Sequence, residues 1–121
     1  MKLRRKNLNY LALMIFAPVL VLAGIVGFIM PGGLTSTAPA YNVFHIFFGS
    51  VGIVLVLTKR DDLIRAFNIG FGAIDLYQAV ASFIHLFPER FFRWTAADDV
   101  LHVVIGAVLV LIGLYGRTKW G

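Results

Sequence analysis

Three histidines and one aspartate inside apolar sequence are the residues here that could do chemistry. His45 stands one turn into "YNVFHIFFGSVGIV", Tyr41 to Val54, and His102 holds the same place in "DDVLHVVIGAVLVL", Asp98 to Leu111. Imidazole is the commonest metal ligand, and two histidines at one depth would suit a haem iron or a divalent metal. Gly49 and Gly106, each one helical turn further on, would leave room for a flat macrocycle. Asp99, one turn before His102, could orient that imidazole from behind. His85, near the end of the third apolar run, is a third candidate ligand. The sequence lacks the HxxxH and ExxH pairs that make metal sites specific, and has no haem-attachment motif. The plainer reading makes Asn42 and Asp98 or Asp99 helix N-caps and has the histidines bond neighbouring helices, so no cofactor is needed.

The aspartate is Asp75, midway along "LIRAFNIGFGAIDLYQAVASFIHLF", Leu63 to Phe87. With Asp75 at zero and about 100° per residue, Asn68 falls near +20°, Ser82 near −20°, Gln78 near −60° and His85 near −80°. One polar wedge on an otherwise apolar helix predicts a buried polar face. An ionised aspartate at the bilayer midplane costs about 2.5–3.5 kcal/mol, so Asp75 must be protonated, bonded to a partner such as Gln78, or wetted by a cavity. Its functional reading is a proton or small-solute pathway through Asp75 and Gln78. Its structural reading is hydrogen bonding between helices.

The elements that position these residues follow from composition. Of 121 residues, 60% are hydrophobic and 14% charged, too few charges for the shell of a water-soluble domain. Four runs meet or approach the length needed to cross a bilayer, at about 8–30, 41–58, 63–87 and 97–116. Helices are expected, because lipid cannot satisfy an open sheet edge. The first run is too long for a signal-peptide core, so it is expected to stay as a span. The net charge of +5 is unevenly placed. Lys2, Arg4, Arg5, Lys6, Lys59, Arg60, Arg65, Arg117 and Lys119 flank one side of the expected spans, with only Arg90 and Arg93 on the other. That bias predicts cytoplasmic termini, with anionic membrane lipids as natural partners and no nucleic acid. Tyr41, Phe91, Phe92, Trp94, Tyr115 and Trp120 are expected to form an interfacial aromatic belt, with "RFFRW" lying along the outer surface. The absence of cysteine excludes disulfides and thiolate chemistry, and no catalytic triad or phosphate-cradling loop is present.

Pro31 and Pro88, Asn42 and Asp99, His45 and His102, and Gly49 and Gly106 are each 57 residues apart. This spacing predicts an all-α membrane protein: four transmembrane helices in an up-down bundle, built from two repeated helical hairpins in one domain. Asn42, His45, Gly49 and Gly52 share one helical face, as do Asp99, His102, Gly106 and Gly113, and small residues there permit close helix approach.

The paired "NVFHIFFG" and "DDVLHVVIG", the basic loop "TKRDD" and the glycine-bearing third helix resemble the bacterial four-helix membrane family catalogued as domain of unknown function 4383. The resemblance covers about Tyr41 to Gly116 and implies a four-span bundle in a bacterial plasma membrane. It supplies no catalytic residue. The leading functional expectation is a small non-enzymatic integral membrane protein, accessory or stress-related. A haem- or metal-binding redox protein using His45, His102 and His85, and a pathway centred on Asp75, are the alternatives. Four short helices enclose little volume, so a homo-oligomer or a membrane-protein partner is expected for any transport path.

Overall fold

Asn7 begins the first helix, its side chain accepting a hydrogen bond from Tyr10 N at 3.0 Å. The computed structural model describes residues 7–119. Lys2, Arg4, Arg5, Lys6 and Trp120 therefore lie outside the described residues. The elements are α1 (Leu8–Ile29), α2 (Pro39–Thr58), α3 (Asp61–Ile84), the single turn α4 (Glu89–Phe92) and α5 (Ala96–Tyr115). No strand occurs among the described residues. The four long helices are each long and apolar enough to span a membrane.

Local chemistry explains where the boundaries differ from the apolar runs. Pro39 occupies the first turn of α2, where a missing N–H costs nothing. Asp61 and Asp62 favour the positive end of α3, which starts two residues earlier than the apolar run. The cap of α5 is Thr95, not Asp98 or Asp99. Thr95 accepts from Asp98 N, and Asp98 reaches back to Thr95 N, forming a capping box. Asn42 does not cap α2 either, since Ala38 precedes that helix and Asn42 donates to Thr37 O at 3.0 Å from inside it. The third helix stops at Ile84, where His85 turns left-handed (φ 60°) and the nearby Pro88 disfavours continuation.

The bundle consists of two tight hairpins, α1 packed on α2 and α3 packed on α5, with lighter contacts from α1 to α3 and α5. Glycine lets backbones meet in both. A Cβ added at Gly49 would lie 2.8 Å from Ala17 O, and one at Gly106 would lie 2.8 Å from Gly72 O. Neighbouring helices fill the space beside both glycines, so it is not left for a macrocycle. Two small apolar clusters form the core, Leu13 with Ala17 and Ile64, and Leu20 with Phe71 and Leu109. Large apolar side chains such as Ile15, Ile29, Leu57 and Phe83 are exposed on the outside, as lipid would require.

At the basic end of the bundle, buried asparagines join the helices. Asn9 Nδ2 lies within bonding distance of the carbonyls of Ile112 (3.1 Å), Gly116 (3.2 Å) and Arg117 (3.1 Å). Asn7 donates to Asp61 and to Thr118 O, while Asn68 donates to both oxygens of Asn9. These bonds cap the end of α5 and fix the segment after it. Asn9→Leu should therefore cost roughly 1–3 kcal/mol, since it removes the side-chain bonds to three carbonyls at the end of α5 and the buried bond from Asn68. Thermal unfolding in detergent measures this, and faster amide exchange at the end of α5 should accompany it.

Candidate ligand cavity

Asp98, only 2% exposed, organises the opposite end, where the two long loops meet α5. One carboxylate oxygen accepts from Ser36 N at 2.7 Å and from Thr95 N at 2.8 Å. Ser36 also donates its hydroxyl to Phe92 O, and Thr95 donates to Leu34 O at 2.7 Å. A single buried acid thus ties the α1–α2 loop, the α4 segment and α5 together.

Its other oxygen faces Tyr41 OH at 3.4 Å, but the nearer partner of that hydroxyl is His102 Nε2 at 2.6 Å. With the tyrosine proton directed to Nε2, the imidazole carries its own proton on Nδ1. That Nδ1 is buried without a partner, as is Asp99 Oδ1 one helical turn earlier. The proposed Asp99–His102 hydrogen bond is therefore absent.

Below this network lies a cavity of about 150 Å³. Its polar lining comes from Thr35, Tyr41, His45, His102, Asp98 and Asp75, and its apolar lining includes Phe16, Phe71 and Ile105. Val19 and Ala23 of α1 and Leu101 of α5 also line it and are exposed on the lipid-facing surface. The opening therefore faces sideways, between α1 and α5. Asp75 accepts from Gln78 Nε2 at 3.1 Å, and Gln78 Oε1 accepts from Trp94 Nε1 at 3.0 Å. Gln78 itself does not line the cavity and acts by holding Asp75.

Of the sequence candidates, His45, His102 and Asp75 are brought to one cavity, with the Tyr41 ring 4.1 Å from that of His45. His85 stands apart. Its side chain is 78% exposed and pairs with Glu89 at 2.7 Å, because the left-handed turn at the end of α3 swings it outward. The buried polar wedge comprises Asn68, Asp75 and Gln78, while Ser82 is half-buried. Among the described residues, no three His, Cys, Asp or Glu side chains converge as a metal site.

Sequence reasoning missed Tyr41, placed in the aromatic belt but 2% exposed. Phe92 and Trp94 also turn inward: Phe92 lies 5.2 Å from Tyr41 and Trp94 6.2 Å from His102 between ring centroids. A signal for Tyr41 did exist. It precedes Asp98 by 57 residues, the same offset that pairs His45 with His102.

Toward the basic end the cavity closes on an apolar layer. Leu20, Phe71 and Leu109 pack there with Phe16, Phe44, Phe48 and Phe67. Beyond it, about 10 Å along α3 from Asp75, Asn68 bonds to Asn9.

Fold and site define a small four-span helical membrane protein with a mainly apolar cavity, carrying a few polar groups and opening sideways at one end. The family described as "Domain of unknown function (DUF4383)" matches residues 32–115, and the chain belongs to it. That match spans α2 to α5 and includes every polar residue of the cavity, whereas α1 lies outside it. No curated protein and no solved structure matches the chain.

Proposed function

We propose that this is a non-enzymatic integral membrane protein that binds an uncharged, ring-sized amphiphile drawn from the bilayer. The observation behind this reading is the 150 Å³ cavity with apolar, lipid-facing residues at its mouth and polar groups within. An apolar cavity of about this volume holds one benzene ring. The hydrogen-bonding groups of Tyr41, His45, His102 and Asp75 would select a ring bearing a hydroxyl. A macrocycle of four pyrrole rings is far larger than this space, and Tyr41 already occupies His102 Nε2. The ring-sized ligand is therefore preferred to haem or a metal at His45 and His102. The apolar layer at Phe71 supports a blind site over a proton or solute pathway through Asp75.

Three further proposals accompany it. The charge bias supports cytoplasmic termini, and the resemblance to the bacterial four-helix family supports a bacterial plasma membrane; the cavity would then lie in the outer half of the bilayer. Bounds of α2 and α5 that differ by 57 residues at both ends support two repeated hairpins. The proposed accessory role would be exercised on the ligand or with a partner in the membrane.

Trp94 provides the test. In a Trp120→Phe background, 4-iodophenol should quench its fluorescence saturably. Iodobenzene should bind about fivefold more weakly, the equivalent of one neutral hydrogen bond of ~1 kcal/mol. Ala23→Phe, at the exposed mouth, should abolish saturation. Quenching that rises linearly, or equally for both probes, would refute the proposal.

A further inference from the structure

A second cavity, of about 370 Å³, lies at the basic end and is lined by Arg65 of α3 and by Tyr115, Arg117 and Lys119 at the end of α5 and just beyond it. Arg65 Nε donates to Gly113 O at 2.7 Å. That bond supports the negative end of α5 and also holds the guanidinium plane in place. It uses one of five guanidinium donors and leaves the Nη groups for another partner. Arg117 and Lys119 are exposed, and none of the three cations forms an ion pair among the described residues.

The segment bearing Arg117 and Lys119 is held by its backbone. Asn9 bonds the Gly116 and Arg117 carbonyls and Asn7 the Thr118 carbonyl, so the side chains are free of that task. Leu114 and Tyr115, also lining the cavity, are exposed. Three cations are thus mounted on fixed backbone, beside apolar and aromatic surface at the end of a span. An arginine fork suits phosphate oxygens, and basic pockets between transmembrane helices favour anionic headgroups.

We propose that this cavity binds the phosphodiester headgroup of an anionic phospholipid, with its acyl chains lying along Leu114 and Tyr115. The competing explanation is diffuse attraction to the whole basic end, which includes Lys59 and Arg60 outside the cavity.

Native mass spectrometry of the full chain in detergent separates the two. Dioleoyl phosphatidylglycerol should bind first and at least about tenfold more tightly than dioleoyl phosphatidylcholine, a difference of ~1.4 kcal/mol. Arg117→Gln with Lys119→Gln, which leaves the Asn7 and Asn9 bonds intact, should cut that preference to under about threefold. Lys59→Gln with Arg60→Gln should leave it unchanged. Arg65→Lys, which keeps the charge but loses the fork, should weaken it. No preference between the lipids, or equal loss in both double variants, would overturn the site. Displacement of the lipid by equimolar glycerol phosphate would overturn its assignment to a lipid.

Discussion

Gly106→Leu should destabilise the bundle by about 3 kcal/mol, the upper end of what overpacking usually costs. The cause is geometric. Even a first side-chain carbon at Gly106 would lie 2.8 Å from Gly72 O, 2.9 Å from Leu76 Cγ and 3.1 Å from Asp75 Cβ. Backbone cannot yield as a flexible side chain can, so α3 and α5 must separate. That separation moves Asp75 away from His102, and saturable ligand binding should be lost with stability. Gly70 provides the control, because nothing lies within 4 Å of a carbon added there. Gly70→Ala should be neutral or stabilise α3 by up to about 1 kcal/mol, through helix propensity alone. Thermal unfolding of both variants in one detergent checks the pair. A Gly106→Leu protein as stable as the parent would contradict the close α3–α5 contact.

Asp98→Ala should cost a similar amount, roughly 3 kcal/mol. It strands the N–H groups of Ser36 and Thr95, and a buried donor left unpaired costs about 1–3 kcal/mol. It also removes half of the α5 capping box. Asp99→Ala, one residue on, should cost less than about 1 kcal/mol, because Asp99 Oδ1 has no partner to lose. Unfolding measurements on the two alanine variants and on Asp98→Asn give the ranking. Asp98→Asn should fall between them, keeping one acceptor oxygen. Equal losses at positions 98 and 99 would mean that charge, not the hydrogen-bond network, matters here.

Much of the fold was legible because it depends on local pattern. Run lengths gave four spans, and helical spacing gave the glycine faces of α2 and α5 that pack against α1 and α3. The polar wedge around Asp75 was equally readable, since a 100° rotation per residue needs no tertiary knowledge. What escaped depends on distant partners. Asn7 and Asn9 look like a polar prelude to an apolar run, yet the carbonyls they bond lie beyond residue 111. Tyr41 looks like an interfacial aromatic until Phe92 and His102 are seen packed around it. His85 fits the helical pattern by angle, but the chain leaves the helix at that residue. Periodicity assigned its direction correctly only while the helix lasted.

The most direct measurement is the position of iodine in crystals of the protein grown in lipid and soaked with 4-iodophenol. The expected result is one anomalous peak inside the bundle, among Phe71, Asp75, Tyr41 and His102. That peak should vanish in Ala23→Phe crystals. Peaks confined to the outer, lipid-facing surface, with nothing between α1 and α5, would contradict a ligand cavity at the loop end of this bundle.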